Sequence, residues 1–199
     1  MISIEDFKEK WEAEYGDSLQ TFSANSLDGF SLDAATLEFL IDFGLPKSTA
    51  PFLSFAGNPD RGKYNLSCIG FLNSWFDFLD EDYSRYIAIG TDGSGDIIAV
   101  NAARNGRIDW IDHEDMETNR YMNGSIFQLA ACLLAYNDFV KLTTQDNADF
   151  DFDFSDVHFE TLKDILIDID VRCTDEGFWK NELDTLLANR EWERSSRSK

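Results

Sequence analysis

Apolar residues along the chain follow two rhythms, and the switches between them lay out the elements. Ile4, Phe7 and Trp11 recur at helical spacing, with Ser3 as candidate cap, Asp6 in the reciprocal position of a capping box, and Gly16 as the stop. A second helix is predicted over residues 32–43, capped by Ser31, with Ala34, Leu37 and Ile41 on its apolar face. Gly44 suits the left-handed residue that follows a helix, and Pro46 prevents continuation. The rhythm then shortens. Residues 52–56, 65–72, 86–90, 96–101 and 107–111 read as strands, with turns at 58–62, 91–95 and Asn105-Gly106. Hairpin turns this closely spaced leave no room for crossover helices, so the strands form an antiparallel meander.

The helical period returns in the last third. Ser125 and Gln128 predict a capping box for a helix ending near residue 142. Ile126, Leu129, Leu133, Tyr136 and Val140 line one face, and Phe127 and Leu134 widen it, as expected of a central core helix. Ser155 starts another helix with Phe159, Leu162, Leu166 and Ile169 inward. A last one, from about residue 175, carries Trp179, Leu183, Leu186 and Leu187, and residues 189–199 are expected to be a polar, frayed tail. Helices, then a meander of about five to six strands, then helices again predict one α+β domain over residues 1–199.

Charge changes the picture more than size does. Against 17 Lys+Arg stand 38 Asp+Glu, a net charge of −21. Such a field repels nucleic-acid phosphates and anionic membrane surfaces, and it attracts a basic partner; plain solubility is the competing reading. Cys68, Cys132 and Cys173 are odd in number and far apart, which argues against a disulfide framework or a zinc site. The N-terminus lacks a basic stretch leading into an apolar one, and the longest apolar run, 126–136, is too short to span a bilayer. The expected compartment is the cytoplasm.

Catalytic chemistry finds little support. His113 is followed by Glu114 and Asp115, but the second histidine of a HExxH pair is missing, and His158 falls at a helix start. No GxSxG elbow is present. The segment Asp92-Gly93-Ser94-Gly95-Asp96 fails as a calcium loop, because Ile97 stands at its sixth position and Ala103 at its twelfth. It reads as a hairpin turn. No catalytic residue, cofactor or metal is therefore expected. Residues 149–154 alternate acid and phenylalanine, which places Phe150, Phe152 and Phe154 on one face of an extended segment. Packing of three rings is preferred there over an acidic-aromatic recognition strip. Asp77, Asp80, Glu81 and Asp82, bracketed by Phe76, Phe78, Leu79 and Tyr83, form an acidic knot that is either a solvated face or the charged rim of an interface.

Several segments together resemble a known family. Gly44-Leu45-Pro46 after a helix, Tyr86–Gly90 as YIAIG, Asp92–Asp96 as DGSGD, residues 97–100 as IIAV, and the later Gly106–Ile108, Asp112-His113 and Ser125–Phe127 occur in the order seen in the SUKH superfamily, with most similarity to its fourth subfamily. The resemblance covers roughly residues 32–139. It implies a curved antiparallel sheet flanked by helices. It also implies a non-enzymatic immunity protein that neutralises a cognate toxin of a bacterial polymorphic-toxin system, often a nuclease. A nuclease site is basic because it holds phosphates, so the resemblance and the charge point to the same kind of partner. Gly44, Pro46, Gly90, Gly93 and Gly95 would then shape the backbone. Asp80, Glu81, Asp82 and Tyr83, with Asp92 and Asp96 of the hairpin, are the candidate partner contacts. The competing function is a regulatory scaffold of cellular proteins, as among fungal relatives, and gene neighbourhood would separate the two.

Overall fold

A computed structural model describes residues 4–16, 19–57, 68–144 and 154–197. The Ser3 cap, the turn at 58–62, and Phe150 and Phe152 lie outside these residues. Helix α1 (Ile4–Tyr15) buries Phe7 and Trp11, as its spacing predicts. Helix α2 (Ala34–Asp42) starts later than expected. Its cap is Asp33, not Ser31: one carboxylate oxygen accepts the Thr36 N–H at 3.0 Å and the other the Thr36 hydroxyl at 2.6 Å. An aspartate that satisfies two donors at once outcompetes a serine two residues upstream. The fully buried face is accordingly Thr36, Phe39 and Leu40; Leu37 and Ile41 flank it, and Ala34 is exposed. Gly44 ends the helix at φ +78°, its N–H bonded to Phe39 O at 2.8 Å, and a Cβ there would lie 2.1 Å from Gln20 O.

The sheet comprises β1 (Ser48–Thr49), β2 (Leu53–Phe55), β3 (Gly70–Phe71), β4 (Tyr86–Thr91), β5 (Ile97–Asn101), β6 (Arg107–Ile111) and β7 (Asn119–Asn123). These seven strands are all antiparallel, in the order β1-β2-β4-β5-β6-β7, with β3 also on β4. The meander from β4 to β7 is the expected one, with bulges at Ala88/Gly90 and Ile108/Asp109. Of the predicted strand at 65–72, residues 65–67 lie outside the described residues; among 68–72 the strand is β3, and it stops where Leu72 opens the short helix α3 (Leu72–Trp75). Strands β2 and β3 lie one after the other along the same edge of β4: Phe55 pairs with Gly90, and Gly70 with Ala88.

Helix α4 (Ile126–Thr143) is the central core helix. It is buried on nearly every side through Ile126, Leu129, Leu133, Leu134, Tyr136 and Phe139. Its N-cap is Ser125, whose hydroxyl accepts the Gln128 N–H at 3.3 Å. The Gln128 side-chain oxygen, which a capping box would aim at the Ser125 backbone N–H, instead accepts the Ser125 hydroxyl at 3.5 Å, while its amide nitrogen donates to Ile169 O at 2.9 Å and so caps the end of the next helix. That helix is α5 (Asp156–Ile169), started by Ser155 as predicted. Helix α6 runs from Gly177 to Arg197. The expected frayed tail is therefore helical as far as Arg197. Arg190 pairs with Asp156 at 2.8 Å, and Arg194 donates to Phe154 O at 3.0 Å, so the last turns are tied to the start of α5. Phe154 itself packs against Phe139 and Phe159.

Helices α1, α2, α4, α5 and α6 and one face of the sheet share the main core. On the other face, Tyr86, Ala88, Ile97, Ala99 and Ile111 form a second, smaller core with Leu72 and Met116, with Trp75, Phe76, Leu79 and Tyr83 against it. The inner strands are thus buried on both faces, which is why 86–90 and 97–100 read as unbroken apolar runs. Among the described residues no helix is long and apolar enough to cross a membrane.

Candidate functional site

The acidic knot is a surface feature. Asp80 caps a 3₁₀ turn, Glu81–Arg85, by accepting the Asp82 N–H at 2.9 Å. Asp80, Glu81 and Asp82 are exposed, while Tyr83 is half-buried on the smaller core beside Tyr86. Burial first, then the negative charges of Glu117 and Asp80, push the Tyr83 hydroxyl pKa upward. Glu117, from the β6–β7 loop, therefore adds its charge to the knot. Phe78, two residues before Asp80, stands out beside the knot, 74% exposed.

The hairpin between β4 and β5 is different, because its two aspartates are engaged within the fold. Asp92 accepts the N–H groups of Ser94 and Asp96, each at 2.9 Å, and the Trp110 indole N–H at 3.0 Å. Asp96 is buried; its Oδ1 accepts the His113 N–H at 3.1 Å and lies 2.8 Å from His113 Nδ1. That contact raises the His113 pKa above its ordinary value. Asp96, Asp112 and His113 are the one group of metal-ligating side chains clustered among the described residues, with ligand atoms within 4.8 Å of one another. Their protein partners account for the clustering: Asp96 holds His113, and Asp112 accepts the Glu114 N–H at 2.9 Å. Of the family-motif residues, Gly90 pairs with Phe55 at the bulge, Gly95 closes the hairpin turn, and Pro46 is buried behind Gly44.

Gly93 leads to a feature the sequence does not announce. A Cβ at Gly93 would sit 3.1 Å from the Cβ of Phe52. Phe52 follows the cis Ala50–Pro51 peptide, has φ +59°, and is 86% exposed. A bulky residue in the left-handed region is a backbone outlier, and such outliers concentrate at functional sites. Phe52 lines a cleft of about 700 Å³ between the β1–β2 hairpin, Tyr136 and Val140 of α4, and Glu182 and Leu186 of α6. The walls are mostly apolar. Within them Glu182 makes no ion pair or hydrogen bond among the described residues. Burial first, and then repulsion by Asp92, push its pKa up to about 7. The same burial, with Glu182 nearby, raises the Tyr136 hydroxyl well above its ordinary value. The arrangement offers an apolar floor, one exposed ring and one carboxylate without a counter-ion. An apolar wall with one such carboxylate is chemically suited to a cationic group attached to an apolar body.

Neither Phe52 nor Glu182 could be singled out from the sequence. Phe52 reads as the start of a strand, and Glu182 as one more acid on the polar side of α6. A pattern along one element cannot see a hairpin packed more than a hundred residues away.

A family model described as SUKH-4 immunity protein matches residues 8–185. No curated protein and no solved structure gives a significant match.

Proposed function

The chain belongs to the SUKH-4 immunity protein family, and from that premise we propose that it binds and neutralises a cognate protein toxin with a basic site, such as a nuclease, through an acidic surface. The observation that carries the docking mode is Glu182, a carboxylate without a counter-ion in an apolar cleft beside the exposed Phe52. A basic side chain of the toxin would enter the cleft, pair with Glu182 and pack its stem against Phe52 and Tyr136. Asp92 would add negative potential there. Asp80, Glu81, Asp82 and Tyr83 would form a second acidic contact that speeds encounter with a basic partner. Carboxylates facing a basic phosphate-binding site would occupy it as phosphates do.

This action is non-enzymatic and takes place in the cytoplasm. The test is co-purification with, and protection against, the toxin encoded beside this gene. Full binding to that toxin by a Glu182→Gln, Phe52→Gly double variant would reject the cleft. No binding by the unaltered chain would reject the function.

A further inference from the structure

One region runs against the charge of the whole molecule. Four of the nine arginines, Arg104, Arg107, Arg120 and Arg172, line a single cleft of about 470 Å³ at the β7 edge of the sheet, where Glu117 and Glu176 are the only carboxylates on the wall. They arrive from separate elements: Arg104 from the turn before β6, Arg107 from β6, Arg120 from β7 and Arg172 from the turn before α6. Two are engaged. Arg107 holds the fully buried Asp109, with an Nη2 to Oδ2 hydrogen bond of 2.9 Å and an Nε to Oδ1 ion contact of 2.6 Å. Arg172 pairs with Glu176 and lies 4.3 Å above the Tyr121 ring. The other two are exposed and make no ion pair among the described residues; Arg120 lies over the Trp110 ring with Asp115 in electrostatic reach, and Arg104 has no partner among the described residues. Acids outnumber bases more than two to one in this chain, so four arginines against two wall carboxylates are not what random placement would leave. Gly177, the first residue of the long helix α6, also lines the cleft, which adds the positive end of a helix dipole.

We propose that this cleft binds the phosphate group of a small soluble ligand. The reading is independent of toxin binding, which uses other residues. The volume falls within the range of small-molecule sites. Guanidinium forks approaching from several directions offer more donors than one carboxylate can accept. A phosphate has more oxygens and carries more charge. At physiological ionic strength the screening length is about 8 Å, so the distant acids are screened, and within the cleft the four arginines outnumber Glu117, Glu176 and the Asp109 that Arg107 holds.

The experiment is calorimetric titration of the full chain, in buffer free of phosphate and sulfate, with inorganic phosphate, pyrophosphate, ATP and a glutamate-rich peptide as separate arms. The comparison proteins are Arg104→Ala/Arg120→Ala and a Lys47→Ala/Lys163→Ala control, with folding checked by circular dichroism. The expected result is saturable binding of at least one phosphate compound by the unaltered chain and the lysine control, weakened at least about tenfold in the arginine variant. No binding of any phosphate compound at millimolar concentration overturns the proposal. So does unchanged affinity in the arginine variant, or binding of the acidic peptide alone.

Discussion

Replacing Glu182 by glutamine should stabilise the free protein and weaken its complex. At pH 8 the fold holds an ionised carboxylate in an apolar cleft near Asp92; glutamine keeps the shape and removes the charge. The gap between 4.5 and about 7 sets an upper limit of ~3 kcal/mol at 1.36 kcal/mol per pH unit. Residual solvent contact and relaxation reduce this to about 1–2 kcal/mol. The folded-state value lies above the unfolded one, so the native state prefers the protonated form. That support is present in full below pH 4.5 and is lost as the pH rises through about 7. The advantage of Glu182→Gln should therefore be near zero at pH 4.5 and reach its plateau above pH 7. Urea unfolding of both proteins at pH 4.5 and pH 8 measures the difference, and the other carboxylates cancel in the comparison. An equal advantage at both pH values, or none at pH 8, would refute the reasoning. In the complex the sign reverses, because a buried cation of the partner then loses its counter-ion.

Phe52→Gly should raise stability by about 1 kcal/mol, since relief of the left-handed backbone outweighs glycine's added unfolded-state entropy, and it should lower toxin affinity; denaturation and titration check the two halves. Neutralising the knot with Asp80→Asn/Glu81→Gln/Asp82→Asn should leave stability within about 0.5 kcal/mol, because asparagine can still cap the turn. Stopped-flow measurements should show slower association with the toxin and a flatter dependence on salt. His113 should titrate above its ordinary 6.5 by NMR, and Asp96→Asn should bring it down. The His113–Asp96 contact thus supports the fold below pH 6.5 and is lost as the pH climbs through the raised value.

Where apolar residues repeat within one element, the sequence located the element, although in α2 it did not pick the buried face. The 3.6-residue spacing of Phe7 and Trp11, the helix opened by Ser125, and the turn-bounded runs of β4, β5 and β6 predicted elements that the structure contains. Where an element is defined by its neighbours, the sequence did not locate it. Strand β7 reads Asn-Arg-Tyr-Met-Asn; only Tyr121, Met122 and Asn123 are buried, and its polar residues find partners elsewhere, as when the Tyr121 hydroxyl donates to Asp170 at 2.8 Å. Helix α3 spans four residues, too few to show a period. The same limit applies to function. The acidic knot is contiguous and therefore legible, whereas both clefts are assembled from residues far apart in the chain.

The two-piece strand on the edge of β4 has a consequence for how such a protein can diversify. Gly57 and Cys68 bridge to each other, so the two pieces of the edge meet at one junction. Both ends are fixed independently, Ala56 through Ile89 O and Phe71 through Ile87. A loop grafted at that junction could be lengthened, shortened or rewritten without shifting any strand's register. The scaffold can therefore change what it presents at this edge while its interior stays under separate selection.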